Sequence, residues 1–295
     1  MELFRALAVL AEPPSEQVAP LAEALDLGAL PEASEYTELF VFQLYPYASV
    51  YLGAEGMLGG EARDRVAGFW RALGQTPPPE PDHLSVMLAL YARLSDFEER
   101  EGDARRRESW RHARRAFLWE HLLSWLPVYL KKLSEVASPF YRGWGELLTR
   151  ALLEESKTLE MQTPLPMALR DGRRLADPRS AEADEFRQTL LSPARSGMIL
   201  TRSDLARAAR KLGLGLRAGE RKFVLQSLFD QDAKAVLGWL RDEATLWTNQ
   251  HREQRPTLGQ IAEAWEERAR SSATLLAELE AAIKTNDECG MMNDE

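Results

Sequence analysis

Cysteine is nearly missing from this 295-residue sequence: Cys289 stands alone, close to the C-terminal end. One thiol per chain excludes an internal disulfide framework and a multi-thiolate metal centre. That scarcity fits a reducing compartment, and the expected location is the cytoplasm. Long apolar runs are missing as well. No stretch reaches the roughly 18 apolar residues that a membrane-spanning helix needs. The opening MELFRALAVLAEPPSEQ starts with an acid and has no basic n-region, so it does not read as a secretory leader. Basic residues are scarce in the first sixty positions, which hold nine acids from Glu2 to Glu55 against one base, Arg5. The net charge is −9, so the rest of the chain is nearly neutral. A general nucleic-acid binder shows the opposite bias. An acidic face attracts a basic peptide; it also serves simply as a solvated surface.

Strand signals are missing too. Alternation at period two is absent and β-branched residues are sparse. Apolar residues recur instead at spacings of three and four, the helical period. Tyr36, Leu39, Phe40, Leu44, Tyr47 and Tyr51 form one such stripe, with Pro46 expected to bend it. Leu84, Met87, Leu88, Tyr91 and Leu94 form another, preceded by the proline-rich connector Thr76 to Pro81. Trp110, Phe117, His121, Leu122, Trp125 and Tyr129 mark a long helix, which Pro127 is expected to kink near Leu123. The fold class expected is all-α: a helical bundle over residues 1–155, a linker or long loop over 156–195 that ends in a short helix near Phe186, a smaller helical C-terminal extension over 196–283 and a disordered tail over 284–295. In the extension, Ser203 is expected to cap a helix that stops at Gly213, and Thr257 to start the last one.

The usual catalytic arrangements do not occur. None of the four histidines, His83, His112, His121 and His251, lies in an H-E-x-x-H or zinc-ligand spacing. There is no phosphate-binding G-x-x-x-x-G-K-[ST] loop, no dinucleotide-binding G-x-G-x-x-G after a strand, and no G-x-S-x-G elbow. The expectation is a protein without catalytic activity or resident metal.

Two clusters rise above this background. The first is Glu80-Pro81-Asp82-His83, where the connector meets a helix. Asp82 stands at an N-cap position, and His83 sits at the dipole-positive helix end, where its charged form is disfavoured. By local physics alone the stronger reading is a simple cap with an exposed histidine. The second is Glu120-His121 within FLWEHLLSWLPVYL. His121 shares an apolar face with Phe117 and Trp125, which reads first as a core histidine needing a polar partner; Asp82 and Glu120 are the candidates.

In combination these blocks resemble a known family. PEPDHLSVMLALYARL is similar to the E-P-x-D-H-[LI]-x-x-x-L motif of the TorD/DmsD/NarJ group of molybdenum-oxidoreductase maturation chaperones. FLWEHLLSWLPVYLKKL, followed by SPFYRGWGELL, resembles that group's H-L-x-x-W helix and the helix after it. The resemblance covers roughly residues 36–155. It implies an all-helical cytoplasmic chaperone that holds the apo catalytic subunit of a molybdopterin oxidoreductase, often through its twin-arginine signal peptide, until cofactor insertion is complete. The positions carried over as client- or signal-peptide-binding are Pro81, Asp82, His83, Glu120 and His121. Glu120 stands where the family often has aspartate. Trp119 and Tyr47 join them as aromatics expected to line an apolar groove. The resemblance implies no resident cofactor and a monomeric or homodimeric state; some members bind guanine nucleotide weakly, and weak binding of guanine nucleotide or molybdopterin cofactor is left open for this chain.

A competing reading is a helical nucleic-acid-binding regulator. Residues 201–229 have helix–turn–helix character, with Arg202, Arg207, Arg210, Lys211, Arg217, Arg221 and Lys222 clustered where they could touch phosphates.

Overall fold

The stripes spaced three and four apart form helices, and no strand occurs among the described residues. The computed structural model describes residues 1–159 and 164–291, with side chains of the last helix described up to Ile283. The chain divides into two compact units, residues 1–53 with 57–171, and residues 54–56 with 172–295.

The first unit carries α1 (Glu2–Val9), α2 (Ala19–Ala24), α3 (Ala33–Tyr36), α4 (Ala48–Leu52), α5 (Gly60–Ala72), α6 (Leu84–Arg100), α7 (Ala104–Phe117), α8 (Leu126–Val136), α9 (Pro139–Thr158) and α10 (Met167–Arg170). Its core is aromatic: Tyr91, Trp125, Tyr129, Tyr141 and Trp144 are fully buried. Such rings bury large apolar areas but need a partner for each polar atom. Trp144 Nε1 donates to the Leu7 carbonyl at 3.0 Å, tying α9 to α1. Tyr51 stacks on Trp125 at 5.2 Å and donates its hydroxyl to the Tyr45 carbonyl at 2.8 Å. Charges lie inside as well: Lys132 pairs with Glu135 at 2.8 Å, and Arg114 on α7 pairs with Glu98 at 2.8 Å and Glu155 at 2.9 Å. Burial of a guanidinium requires such partners.

Both prolines expected to bend helices instead separate them. The stripe from Tyr36 runs as α3 and then a π-helical turn, Thr37–Gln43, closed by Leu44 N–H donating to the Leu39 carbonyl at 2.7 Å. Leu44 is extended, and Pro46 lies in the extended link before α4. Likewise α7 passes into a π turn, Leu118–Leu122, closed by Leu123 N–H to the Leu118 carbonyl at 2.8 Å. Trp125 then leaves helical geometry and Pro127 sits in the first turn of α8. A proline there loses no internal hydrogen bond, so a new start is cheaper than a kink.

The second unit holds α11 (Ala183–Leu190), α12 (Pro193–Ser196), α13 (Arg202–Leu212), α14 (Arg221–Leu258) and α15 (Gln260–Met291). The stretch 156–195 contains the short helix expected near Phe186, α11, and further short helices that were not expected, with Leu159, Leu169, Leu175, Phe186 and Leu190 buried. Helices of four residues are too short to show a period. Thr201, not Ser203, caps α13, through a reciprocal box with Asp204, and Gly213 ends it at φ +67°. Thr257 belongs to the end of α14, and α15 begins after Gly259. Helix α14 breaks at Asp232 (φ −156°, ψ 88°), whose carboxylate restarts it by accepting the Ala235 amide at 2.9 Å. The tail expected at 284–295, including Cys289, lies outside the residues whose side chains are described.

No helix is long and apolar enough to cross a membrane among the described residues.

Candidate functional site

The connector from Thr76 lies at the surface until Pro81, which is buried. From there the chain turns inward. Asp82 is 2% exposed and His83 7%. The backbone of this segment pairs with the extended link before α4. Leu84 N–H donates to the Pro46 carbonyl at 2.8 Å, and Ala48 N–H donates to the Asp82 carbonyl at 3.0 Å. Tyr47 and His83 thereby face one another as an isolated antiparallel bridge.

Asp82 is a cap, but not of its own helix. Its carboxylate accepts the Ser49 amide at 3.1 Å, in the first turn of α4, while α6 starts from His83 with no side-chain cap. His83 is buried, not exposed. Its ring meets Tyr47 edge-to-face at 4.8 Å. Its Nδ1 lies 2.7 Å from Ser85 Oγ, and Ser85 in turn donates to Glu12 Oε1. With the Ser85 proton directed at Glu12, the serine oxygen accepts from Nδ1–H, which leaves Nε2 as the acceptor nitrogen. Burial lowers the His83 pKa; the nearby acids Glu12, Glu80 and Asp82 oppose that shift without reversing it. Tyr47 donates its hydroxyl to Glu80 at 2.9 Å, and burial, then that carboxyl group, pushes its pKa up.

Serine, histidine and carboxylate thus meet, but in an order unsuited to nucleophilic catalysis. A catalytic imidazole holds its acid on one nitrogen and the serine on the other; here Ser85 and Glu12 share the Nδ1 side. No group of three potential ligands is arranged to hold a metal among the described residues. What remains is an acidic, aromatic corner. Neither Glu12, Glu80 nor Asp82 has a Lys or Arg partner among the described residues.

Glu120, His121 and Trp119 are not part of this corner. They sit on the π turn 118–122. The half-buried His121 ring packs between Phe69 (5.4 Å) and Phe117 (5.2 Å). Burial, aided by Arg65, holds its pKa at about 4. Neither Asp82 nor Glu120 serves as its partner. Glu120 instead accepts the Met167 amide at 2.7 Å, and Trp119, 4% exposed, donates to the Pro164 carbonyl at 3.0 Å.

Residues 8–130 match the family model described as nitrate reductase delta subunit. The TorD chaperone of Vibrio vulnificus is 31% identical over 140 residues, 43% of this chain and 63% of that protein. The probable Tat proofreading chaperone DmsD of Haemophilus influenzae is 29% identical over 124 residues, 40% of this chain and 55% of that protein. Over residues 8–130 the chain is thus similar to the TorD/NarJ family. It spans less than two thirds of the length of each of these relatives.

The matched segment contains the acidic corner and the π turn 118–122 but neither Pro164 and Met167 nor the second unit. Local sequence reading missed Glu12 and Ser85 as neighbours of His83. Ser85 is two positions away and within reach of inspection; Glu12 lies 73 residues before Ser85, and no spacing rule connects them. The basic cluster of 201–229 is partly used internally. Arg207 pairs with Asp204 and Glu243, Arg221 donates to the Leu200 carbonyl and Lys222 pairs with Asp184. Guanidinium groups engaged in this way are poorly placed for phosphates.

Proposed function

We propose that this protein is a chaperone for the maturation of a molybdopterin oxidoreductase, and that it binds the apo catalytic subunit, including its twin-arginine signal peptide. The observation that carries this reading is the corner itself: Glu12, Glu80 and Asp82 gather around His83 and Tyr47 with no basic side chain to neutralise them. A guanidinium suits such a place. It donates to carboxylates in a planar fork, lies over a tyrosine ring, and can donate to the free Nε2 of His83. Asp82 holds the first turn of α4 in position beside the Tyr47–His83 bridge. Protonating His83 would set a cation against the incoming arginine, so neutral imidazole is the binding form. Work in the cytoplasm and release of the client after cofactor insertion follow from the same reading.

The test is calorimetry with a synthetic peptide carrying two consecutive arginines and an apolar run. Binding that weakens steeply with salt and is lost with lysine in place of arginine supports the reading. A protein that ignores this peptide, and that brings down no oxidoreductase subunit from its own cytoplasm, does not have this function.

A further inference from the structure

Trp119 and Glu120 were expected to meet a client, yet each is already engaged by the chain itself. The segment 164–170 runs over the π turn as a peptide would. Its Pro164 carbonyl receives the Trp119 indole N–H at 3.0 Å. Its Met167 amide donates to Glu120 Oε2 at 2.7 Å. Its Arg170 guanidinium stands 3.8 Å from Glu120 Oε1. Pro166 and Leu169 are buried, while Met167 remains exposed.

We infer that the Trp119–Glu120 face is a peptide-binding surface occupied in this structure by the chain's own segment 164–170, and that a client segment of like chemistry takes it by displacing that segment. The seated residues display the recognition chemistry: a backbone carbonyl for the indole, a backbone N–H and a guanidinium for the carboxylate, and apolar side chains between them. The chain continues from Arg170 to Arg173-Arg174 after Leu165, Met167 and Leu169, so it joins apolar residues to a double arginine. The client proposed above carries both features in the opposite chain order, arginines first, and the inference rests on that reading. Exchange requires release of two hydrogen bonds and of one weak ion pair. The Arg170–Glu120 contact is half-exposed, and exposed ion pairs contribute little. A face covered part of the time lowers apparent affinity by the fraction left open.

The decisive variant is Met167→Pro. Met167 is the first residue of α10, and the preceding Pro166 has φ −48° and ψ 137°, a geometry compatible with a following proline. The substitution deletes the amide donated to Glu120 and leaves the receiving face intact. Met167→Ala keeps the amide and serves as the control. The probe is the double-arginine peptide, with hydrogen exchange of residues 164–170 followed in parallel. Expected are faster exchange in Met167→Pro, about tenfold tighter peptide binding if the segment covers the face about nine-tenths of the time, loss of that gain on adding Glu120→Gln, and faster exchange of 164–170 in the unaltered protein when peptide is added. Equal affinity for Met167→Pro and the unaltered protein, with exchange showing the segment released, overturns the displacement while the chaperone reading stands. Failure of every form to bind the peptide overturns both.

Discussion

The Asp82 carboxylate accepts the backbone N–H of Ser49, a residue 33 positions earlier, at 3.1 Å. A motif that looks like the start of its own helix is therefore a clamp on another one. It joins the connector's end to α4 and sets the distance between Tyr47 and His83, and with it the shape of the acidic corner.

Removing that clamp has a predictable cost. Asp82→Ala leaves a buried amide unsatisfied, and a hydrogen bond to a carboxylate contributes about 1.5–3 kcal/mol. Asp82→Asn keeps an acceptor and should retain most of the stability. Urea midpoints of the two variants check this, and equal midpoints for Asp82→Ala and the unaltered protein would contradict the cap.

Glu80 and Glu12 are exposed enough to act on a ligand without holding the core. Glu80→Gln and Glu12→Gln should each weaken binding of the double-arginine peptide by about three- to tenfold at low salt, with a smaller effect near 1 M salt, where charges are screened beyond about 3 Å. Thermal midpoints should stay within about 2 °C, as for most surface changes. Calorimetry at two ionic strengths reads both numbers.

Acid should destabilise the second unit through His251. Its ring lies between Trp247 and Trp265 at 5.3 and 6.0 Å, and Nε2 is 2.8 Å from the Gly197 carbonyl. Burial holds its pKa at about 4. The unfolded chain takes the proton near pH 6.5, before the folded one does. The stability that neutral His251 contributes is therefore complete above about pH 6.5 and is lost progressively as pH falls towards 4, by about 3 kcal/mol across the window. Denaturant melts from pH 7.5 to 4.5 follow it, and His251→Gln should flatten the slope.

Among the glycines of this unit, Gly197 leaves the least room for an added side chain. It has φ +74°, and an added Cβ would lie 2.2 Å from the Ala269 amide nitrogen, against the backbone of α15. Gly197→Ala should cost about 3 kcal/mol or more, since both the conformation and the space are wrong. Gly28→Ala, also at positive φ but with open space around it, should cost about 1 kcal/mol. Comparing their circular dichroism melts separates overlap from backbone preference.

The all-helical class was legible because it depends on local periodicity and on caps such as Gly213, which act within one turn. The absence of catalytic motifs was legible in the same way. The two breaks at Pro46 and Pro127 were visible as positions but not as outcomes, because whether a proline bends a helix or starts a new one depends on the packing of the flanking turns. Between 156 and 195 only the helix near Phe186 was legible; the four-residue helices Met167–Arg170 and Pro193–Ser196 left no period to detect.

The sequence by itself determined which segments become helices and which residue types are present for chemistry. Only the tertiary structure decided their partners: Asp82 with Ser49, Ser85 with Glu12, and Trp119 with Pro164, across 33, 73 and 45 residues of chain. The physical reason is that a cap, a proton acceptor or a peptide groove requires proximity in space. That proximity follows from how the aromatic core packs the helices, which no local spacing encodes.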